Sequence, residues 1–278
     1  MTAKPTDTSD RVPWRLITSG PVDGAMNMAI DRAVLACREK GTSPPTVRLY
    51  SWEVPTVTLG RFQRAQEVDV ELALECGFDV ARRPTGGRGV LHDDEITYSF
   101  VAGCRDGVPR GVAASYRYLS AALVAAYATL GVSAEIAARE RGRAAARGAC
   151  YLHTTQADLS LGAAKLSGSA QVWKGDAVLQ HGSFVMSRDP ALEASLFRLG
   201  PDGEDALRSE AATLLDALGC RPSPAAVISA AGDGVRDTFG VDLVEGELTA
   251  EETALASSWV REMTVARSMR RGRAPASM

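Results

Sequence analysis

Hydrophobic residues recur every three to four positions in several parts of the chain, which is the spacing of an amphipathic helix. The clearest such segment runs from Val112 to Leu130, is rich in Ala, Leu and Tyr, and is followed by Gly131, a residue typical of helix C-termini. Thr249, with a carboxylate three residues later, has the spacing of a capping box and predicts the start of the last helix. Helical segments are predicted at 27–38, 66–75, 112–130, 190–219, 222–239 and 248–263.

Apolar and polar residues alternate in other segments, with the period of two expected for a β-strand. Ile96, Tyr98 and Phe100, for example, alternate with small polar residues, whereas Ser19-Gly20-Pro21 is expected to end the first strand. Strands are predicted at 14–17, 46–50, 56–59, 77–80 and 96–100, with further short strands within 150–187. This order lacks regular βαβ alternation and predicts an α+β fold, with a mixed sheet flanked by helices.

Composition divides the chain into a central part and two ends. Residues 1–12 are polar, and residues 264–278 are basic and rich in turn-forming residues, so both ends are predicted to be disordered. We predict a single domain at 13–263 with a helical C-terminal part. Within it, the small and basic segment 137–149 is interpreted either as a solvated loop or as a lid or contact for an acidic partner.

Charge and cysteine content limit the classes of function. With 31 Lys and Arg against 34 Asp and Glu, the chain lacks the basic excess of a nucleic-acid-binding protein. Its five cysteines are scattered and form no CxxC pair, so neither a disulfide framework nor a zinc site is expected. No apolar run resembles a signal peptide or a membrane span. We therefore predict a cytoplasmic protein that binds neither nucleic acid nor membrane and holds no metal.

The segment ARRPTGGRGVLHDDEITYSF, at 81–100, combines fixed charge with backbone freedom. Arg82 and Arg83 supply two cations whose donors suit a carboxylate or a phosphate. Gly86, Gly87 and Gly89 allow a tight turn whose N–H groups approach a ligand. The alternative is an ordinary hairpin turn beside a surface arginine pair, and the glycines alone leave the two interpretations balanced.

The segment 150–186 carries a cysteine, a lysine and a histidine in turn-rich surroundings. Cys150 follows small residues and several arginines, whose charge would favour the thiolate. Lys165 precedes a Gly-Ser turn, and His181 lies in the sequence Gln-His-Gly-Ser after a predicted strand. Taken singly, each has an ordinary structural interpretation: a small buried apolar residue, a solvated cation and a hydrogen-bonded ring.

Taken together, three stretches resemble one family. They are WRLITSGPVDGAMNMAIDRAVL at 14–35, RRPTGGRGVLHDDEITYSF at 82–100, and KLSGSAQ with LQHGSF between 165 and 184. They resemble the biotin/lipoate protein ligase superfamily, on its lipoate branch, over about residues 14–190. Within that branch, Cys150 before Lys165 resembles the nucleophile of octanoyltransferases that modify the glycine-cleavage H protein. ATP-dependent ligases typically have Asn-Asp-Leu before the lysine, whereas this chain has Ala157-Asp158-Leu159.

The resemblance implies a largely antiparallel sheet within the α+β fold and an octanoyltransferase activity. The donor would be octanoyl-acyl carrier protein, the acceptor a lysine of a lipoyl domain such as the H protein, and the enzyme a monomer using neither metal nor ATP. Cys150 would hold the acyl group as a thioester, and Lys165 would stabilise the acyl carbonyl oxygen. The substrate-binding positions that the resemblance implies are Arg82, Arg83, Thr85, Gly86, Gly87, His92, Gly168, Ser169, Ala170, His181 and Gly182.

Two other functions remain compatible with the sequence. The first is an ATP-dependent lipoate–protein ligase, in which ATP and Mg²⁺ form a lipoyl-adenylate near Arg82 and Cys150 has no chemical role. The second is a non-catalytic protein that binds acyl groups or carrier proteins, which the joint presence of Cys150 and Lys165 disfavours. Because histidine titrates near neutral pH, His92 and His181 are candidate proton carriers, but we interpret both as structural residues of the strand and turn.

Overall fold

A computed structural model describes residues 13–137, 141–142, 150–154 and 158–269. Its strands are β1 Pro13–Val22, β2 Thr46–Trp52, β3 Thr56–Leu59, β4 Asp79–Arg82, β5 Val90–His92, β6 Glu95–Gly103, β7 Glu135–Ile136, β8 Arg141–Gly142, β9 His153–Thr154, β10 Leu159–Leu161, β11 Ala164–Ser167, β12 Ser169–Lys174, β13 Ala177–Val185, β14 Asp242–Glu245 and β15 Thr264–Ala266. Its α-helices are α1 Gly24–Lys40, α2 Val70–Glu75, α3 Val112–Thr129, α4 Pro190–Leu196, α5 Gly203–Glu210, α6 Leu214–Leu218, α7 Pro224–Phe239 and α8 Ala250–Met263.

The strands form one large sheet and three smaller ones. The six-stranded sheet has the order β12-β13-β6-β2-β1-β14, in which β1 runs parallel to both neighbours and the other pairs are antiparallel. A four-stranded sheet has the order β15-β4-β3-β5, and β11-β10-β7 and β8-β9 complete the set. The predicted α+β fold, with a mixed and largely antiparallel sheet flanked by helices, is confirmed.

The two faces of the six-stranded sheet differ in polarity, and this difference positions the candidate site. On one face, Ile96, Tyr98 and Phe100 of β6 belong to a large apolar core that includes α3 and α7. Side chains alternate along a strand, so Thr97 and Ser99 point to the opposite face, which α1 covers. Both are nevertheless buried. The candidate site lies on this buried polar face. No helix among residues 13–137 and 158–269 is both long and apolar enough to cross a bilayer.

Two helix predictions hold with corrected boundaries. The helix predicted at 27–38 begins earlier, at Gly24, because the Asp23 side chain caps it by accepting from the Met26 N–H. The segment predicted as one helix at 66–75 instead contains a 3₁₀ turn, Ala65–Glu67, and then α2, which Asp69 caps. Local capping therefore divides a segment whose hydrophobic spacing looks continuous.

Two predicted boundaries need correction. The Ser19-Gly20-Pro21 sequence does not end the first strand, because β1 continues to Val22 through an irregularity in its pairing with β2. The tail predicted to be disordered from 264 onwards begins instead with β15, which pairs antiparallel with β4. The Ser268 N–H also donates to the Asp79 carboxylate at 2.9 Å. Tertiary pairing thus extends both segments, while 1–12, 270–278 and most of 137–149 lie outside the described residues.

Candidate active site

The glycine-rich segment forms a turn between β4 and β5. These two strands pair with β3 from opposite sides and not with each other, so the hairpin interpretation is wrong. The Arg83 guanidinium is buried inside the turn and donates to the carbonyl oxygens of Gly86 at 2.8 Å and Arg88 at 2.7 Å. Gly87 has φ 93°, a conformation that favours glycine, and a Cβ there would lie 2.7 Å from Arg83 Nη2.

The two arginines of the pair bind different segments of backbone. Whereas Arg83 holds the turn from within, Arg82 donates to the carbonyl oxygens of Gly60 at 2.7 Å and Gln63 at 2.8 Å. Both guanidinium groups therefore bind backbone carbonyl oxygens and hold the loop, whereas the sequence predicted that they would bind a carboxylate or a phosphate. Gly60 packs directly against the Gly87 carbonyl, and a Cβ at Gly60 would overlap that oxygen.

The two neighbouring glycines of the turn should respond differently to substitution. We expect Gly87→Ala to lower the free energy of unfolding by about 1–2 kcal/mol or more, because its positive φ is strained for any L side chain and the new methyl meets Arg83. Gly86→Ala is the matched control, since its added Cβ has nothing within 4 Å. Urea unfolding of both variants measures the difference, and equal losses would contradict this account of the turn.

Cys150 and Lys165 meet at the end of this turn. The Cys150 N–H donates to the Gly89 carbonyl oxygen at 2.9 Å, which ties the cysteine to the glycine segment. Lys165, on β11, places its Nζ 3.6 Å from Cys150 Sγ and 3.1 Å from the Cys150 carbonyl oxygen. Gly168 leaves this pair uncovered, because a Cβ there would lie 3.2 Å from Lys165 Nζ and 3.6 Å from Cys150 Sγ.

Lys165 is a buried cation held by a buried carboxylate. Its Nζ lies 3.0 Å from Asp158 Oδ2, and the two side chains are 1% and 2% exposed. Asp158 Oδ1 also accepts from the Ser169 N–H at 3.2 Å. Burial by itself lowers the pKa of Lys165, but the charges of Cys150 and Asp158 outweigh it and raise the pKa above its usual value. The ammonium group therefore keeps its charge at neutral pH beside the sulfur.

A cavity opens beside Cys150 and extends beneath α1. Apolar contributions come from Met28, Tyr50, Val90 and Tyr151, so part of the wall suits an aliphatic chain. The predicted site residues that line this cavity are Arg83, Gly87, His92, Cys150, Gly168, Ser169, Ala170, His181 and Gly182. The structure thus brings most of the sequence-predicted positions around one space.

His181 lines the cavity and belongs to a buried chain of hydrogen bonds. Its Nδ1 lies 3.0 Å from Asp31 Oδ2 and its Nε2 lies 2.7 Å from Thr85 Oγ1. Burial lowers the pKa of His181, an effect that the Asp31 carboxylate offsets only in part, so the ring is neutral at neutral pH. Because an ionised carboxylate only accepts, Nδ1 carries the proton and Nε2 accepts from Thr85. The chain connects helix α1 to the glycine turn, which supports a structural role for His181.

His92 belongs to a second buried chain on the same face. Its Nδ1 donates to Glu95 Oε1 at 2.8 Å, and its Nε2 lies 2.9 Å from Thr58 Oγ1. Burial raises the pKa of Glu95, but hydrogen bonds and charge from His92, with the Ser183 hydroxyl, bring it below its usual value. The Trp52 ring stacks on His92 at 4.2 Å. His92 therefore lines the cavity with a ring whose position is fixed by contacts at both nitrogens and by stacking on Trp52.

The depressed pKa of His181 gives folding stability a defined pH dependence. As the pH falls below 6.5, the usual histidine pKa, the unfolded chain binds a proton that the folded His181 resists. Stability is therefore lost from pH 6.5 downwards until the folded pKa is reached. We expect His181→Gln to reduce the slope of unfolding free energy against pH in this window by up to about 1.4 kcal/mol per pH unit. Identical slopes in the wild type and variant would refute it.

Some of the predicted site residues do not line the cavity, and some residues that shape the site were not predicted from the sequence. Arg82, Thr85, Gly86 and Lys165 do not line the cavity, although Thr85 bonds His181 and Lys165 contacts Cys150, both of which do. Asp31 was missed, although a carboxylate in the apolar stripe of a helix is a signal of a buried charge pair. Also missed were the roles of Asp158, Glu95 and Gly60. Within the described ranges, no group of three or more His, Cys, Asp or Glu side chains is arranged to hold a metal ion.

Comparison with known proteins identifies relatives along most of the chain. Residues 23–235 match the family described as "Lipoyl protein ligase A/B catalytic domain". The chain is 40% identical over 255 residues to the octanoyltransferase LipM of Kyrpidia tusciae, covering 87% of this chain and 93% of that protein. It is 34% identical over 261 residues to the octanoyltransferase LipM of Brevibacillus brevis, covering 89% and 95%.

Solved structures share the fold at lower sequence identity. The crystal structure of a lipoate-protein ligase A bound with ATP superposes with a TM-score of 0.75 at 24% identity, covering 90% of this chain and 95% of that one. A putative lipoate protein ligase from T. acidophilum with bound lipoic acid gives a TM-score of 0.72, also at 24% identity with the same coverage. At this level of identity, these similarities establish a shared fold.

An α+β fold with a thiol and a buried ammonium group at one cavity, together with these relatives, defines an enzyme, and the prediction of an acyltransferase is confirmed. The chain belongs to the lipoyl protein ligase A/B catalytic-domain family. The predicted membership of the biotin/lipoate superfamily, on its lipoate branch, is therefore also confirmed.

Proposed function

We propose that the chain transfers an octanoyl group from acyl carrier protein to a lysine of a lipoyl domain, through a thioester on Cys150. The observation that carries the proposal is the approach of Lys165 Nζ to Cys150 Sγ, 3.6 Å apart at a partly apolar cavity. Both relatives described above are octanoyltransferases, which supports the same acyl group. The path requires neither ATP nor a metal ion.

In the first step, the Cys150 thiolate attacks the carbonyl carbon of the donor thioester. A new C–S bond forms, the carbonyl electrons move to oxygen, and collapse of this intermediate breaks the bond to the donor sulfur. The donor leaves as a thiolate that takes up a proton. Because one thioester replaces another, the exchange is nearly balanced in energy and keeps the acyl group reactive.

Lys165 stabilises the negative charge that develops on the carbonyl oxygen. Its ammonium group has three donors, one directed to Asp158 and one to the Cys150 carbonyl oxygen. The ammonium group also lies 3.6 Å from Cys150 Sγ, beside which the oxyanion would form. Since the Asp158 pair fixes the ammonium group before substrate binds, little reorganisation is needed at the moment of reaction, and such a donor supplies a few kcal/mol.

In the second step, the unprotonated ε-amine of the acceptor lysine attacks the acyl-enzyme carbonyl. The C–N bond forms, the nitrogen loses a proton, and Cys150 leaves as a thiolate, which restores the enzyme. An amide is far more stable than a thioester, so this step runs downhill. During both steps the octanoyl tail would lie along Met28, Tyr50 and Val90 in the cavity.

The test is transfer without nucleotide. Purified protein is incubated with octanoyl-acyl carrier protein and an apo lipoyl domain, and the acceptor mass is followed with and without ATP and Mg²⁺. We expect the acceptor to gain one octanoyl group at the same rate in both. Strict dependence on ATP, with free octanoate or lipoate as the preferred substrate, would instead support a ligase, and no transfer under either condition would reject both enzymes.

A further inference from the structure

A second cavity lies next to the first, and both share Arg83 in their walls. Met28 of α1 lines the first cavity. Arg32, Leu35 and Ala36, one and two helical turns further along α1, line the second. Residues spaced in this way share a helix face, so the two spaces follow each other along one side of α1.

The facing wall shows the same continuity. On β12, Ala170 lines the first cavity, while Val172 and Lys174 line the second. Alternate residues share a strand face, so these three side chains form one row of about 13 Å at a rise near 3.3 Å per residue. We call the second cavity the basic groove; its charged lining is Arg32, Arg61, Arg82, Arg83, Lys174 and Glu262.

The basic groove concentrates positive charge on a chain whose net charge is −3. Five cations face one carboxylate in its lining. Arg32 pairs with Glu262, and Lys174 pairs with Glu39, each at 2.6 Å. Among the residues that the structure describes, no carboxylate pairs with the guanidinium groups of Arg61, Arg82 or Arg83. The groove therefore keeps a local excess of cations that favours an anionic ligand.

The loop at 60–64, whose Arg61 lines the groove, carries an exposed aromatic ring next to that arginine. Phe62 is 84% exposed and lies between Arg61 and an exposed Arg64. Arg82 donates to three carbonyl oxygens of the loop, and the Gly60 N–H donates to Gln63 Oε1 at 3.2 Å. A single exposed apolar residue is ordinary. An aromatic ring flanked by two arginines, beside a cationic groove, has the composition of a protein contact surface.

We propose that the basic groove receives the phosphopantetheine arm of a small acidic carrier domain, and that Phe62, Arg61 and Arg64 contact the domain itself. The phosphate lies among the cations, and the pantetheine chain follows Val172 of β12. The thioester then reaches Cys150. The inference rests on the proposed function and adds to it the site at which the acyl donor binds.

The length of the groove favours the donor over the acceptor as its occupant. A lysine side chain has a four-carbon stem, much shorter than the row of about 13 Å along β12. A phosphopantetheine arm is long enough to follow this row, and it carries the phosphate that the cations suit. Coenzyme A has the same arm, so the contact of Phe62 with a carrier domain is the feature that separates the two donors.

The test uses exposed positions, so that folding is preserved. The groove variant is Arg61→Gln with Lys174→Gln, the loop variant is Phe62→Ser, and the matched control is Arg208→Gln on α5, outside the lining of both cavities. The rate of acyl-enzyme formation is measured without acceptor for three donors: octanoyl-acyl carrier protein, octanoyl-coenzyme A and octanoyl-N-acetylcysteamine, which lacks the phosphate. We expect about tenfold lower kcat/KM with the carrier donor for both variants, and values within about twofold of wild type for the truncated donor. The control should match the wild type.

Each other outcome overturns the proposal in a distinct way. If kcat/KM falls equally with all three donors, the variants have a general catalytic defect and not a binding defect. If kcat/KM with the carrier donor is unchanged, the groove does not bind the phosphopantetheine arm. If Phe62→Ser slows the coenzyme A donor as much as the carrier donor, no carrier domain contacts the loop. If both variants form the acyl-enzyme at the wild-type rate but discharge it more slowly to an apo lipoyl domain added afterwards, the groove belongs to the acceptor.

A binding measurement separates this inference from the proposed function. Calorimetric titration with holo-acyl carrier protein reports the affinity even if the wild type accepts no donor, a result that would reject the proposed function alone. We expect the groove and loop variants to bind the holo carrier about tenfold more weakly than the wild type. Unchanged affinity in both would reject the groove as the carrier site.

Discussion

Replacing Cys150 with serine should reduce octanoyl transfer by at least about 10³-fold, because a neutral hydroxyl is a far weaker nucleophile than a thiolate. The substitution is nearly isosteric, and Cys150 is only half-buried, so the fold should be unchanged. Lys165 would keep its bonds to Asp158 and to the backbone carbonyl oxygen of residue 150. Initial rates with octanoyl-acyl carrier protein and an apo lipoyl domain provide the measurement.

Two exposed cysteines elsewhere in the chain supply the control for this substitution. Cys76 and Cys220 are both exposed, and neither lines the cavity beside Cys150. We expect Cys76→Ser and Cys220→Ser to retain wild-type rates. A Cys150→Ser variant that remains as active as these controls would mean that the acyl group never passes through this sulfur.

Replacing Lys165 with methionine should lower kcat by about 10²–10³-fold, since the charge that faces the developing oxyanion is removed. The same change should destabilise the fold by about 3–5 kcal/mol, because it leaves Asp158 buried without its cation. Loss of activity could then arise from unfolding alone. A second variant is needed to separate the two effects.

The double variant Lys165→Met with Asp158→Asn makes this separation. The amide introduced at position 158 is neutral, and its oxygen can still accept from the Ser169 N–H, as the Asp158 carboxylate does in the wild type. We expect it to recover about half of the lost unfolding free energy, yet to remain as inactive as the single variant. If activity returned together with stability, Lys165 would have a purely structural role.

The sequence predicts individual elements best where local signals agree. The helix predicted at 112–130 matches α3, Val112–Thr129, because its apolar periodicity and the following glycine point to the same limits. The capping box at Thr249 is present, with Glu252 as its partner. The first strand is different, since pairing with β2 carries β1 through a Ser-Gly-Pro sequence that normally ends a strand. That pairing comes from residues far along the chain.

The candidate site shows the same limit. Motifs around the glycine turn and after Cys150 identify most of the cavity lining, but they do not reveal what the charged groups contact. Arg83, expected to suit an anionic ligand, is occupied by carbonyl oxygens of its own turn. Asp158, which holds Lys165, stood in the sequence only as part of a motif comparison. Such partners are set by how strands and turns meet in space, which residue order does not record.

The most direct test of the account is the location of the acyl group on the enzyme. The protein is mixed with octanoyl-acyl carrier protein in the absence of acceptor, quenched, digested and mapped by mass spectrometry. We predict one octanoyl group, on Cys150, which hydroxylamine removes and which an added apo lipoyl domain discharges at the rate of overall transfer. An acceptor that becomes octanoylated while Cys150 stays unmodified at every time point would contradict the thioester on which the proposed function depends.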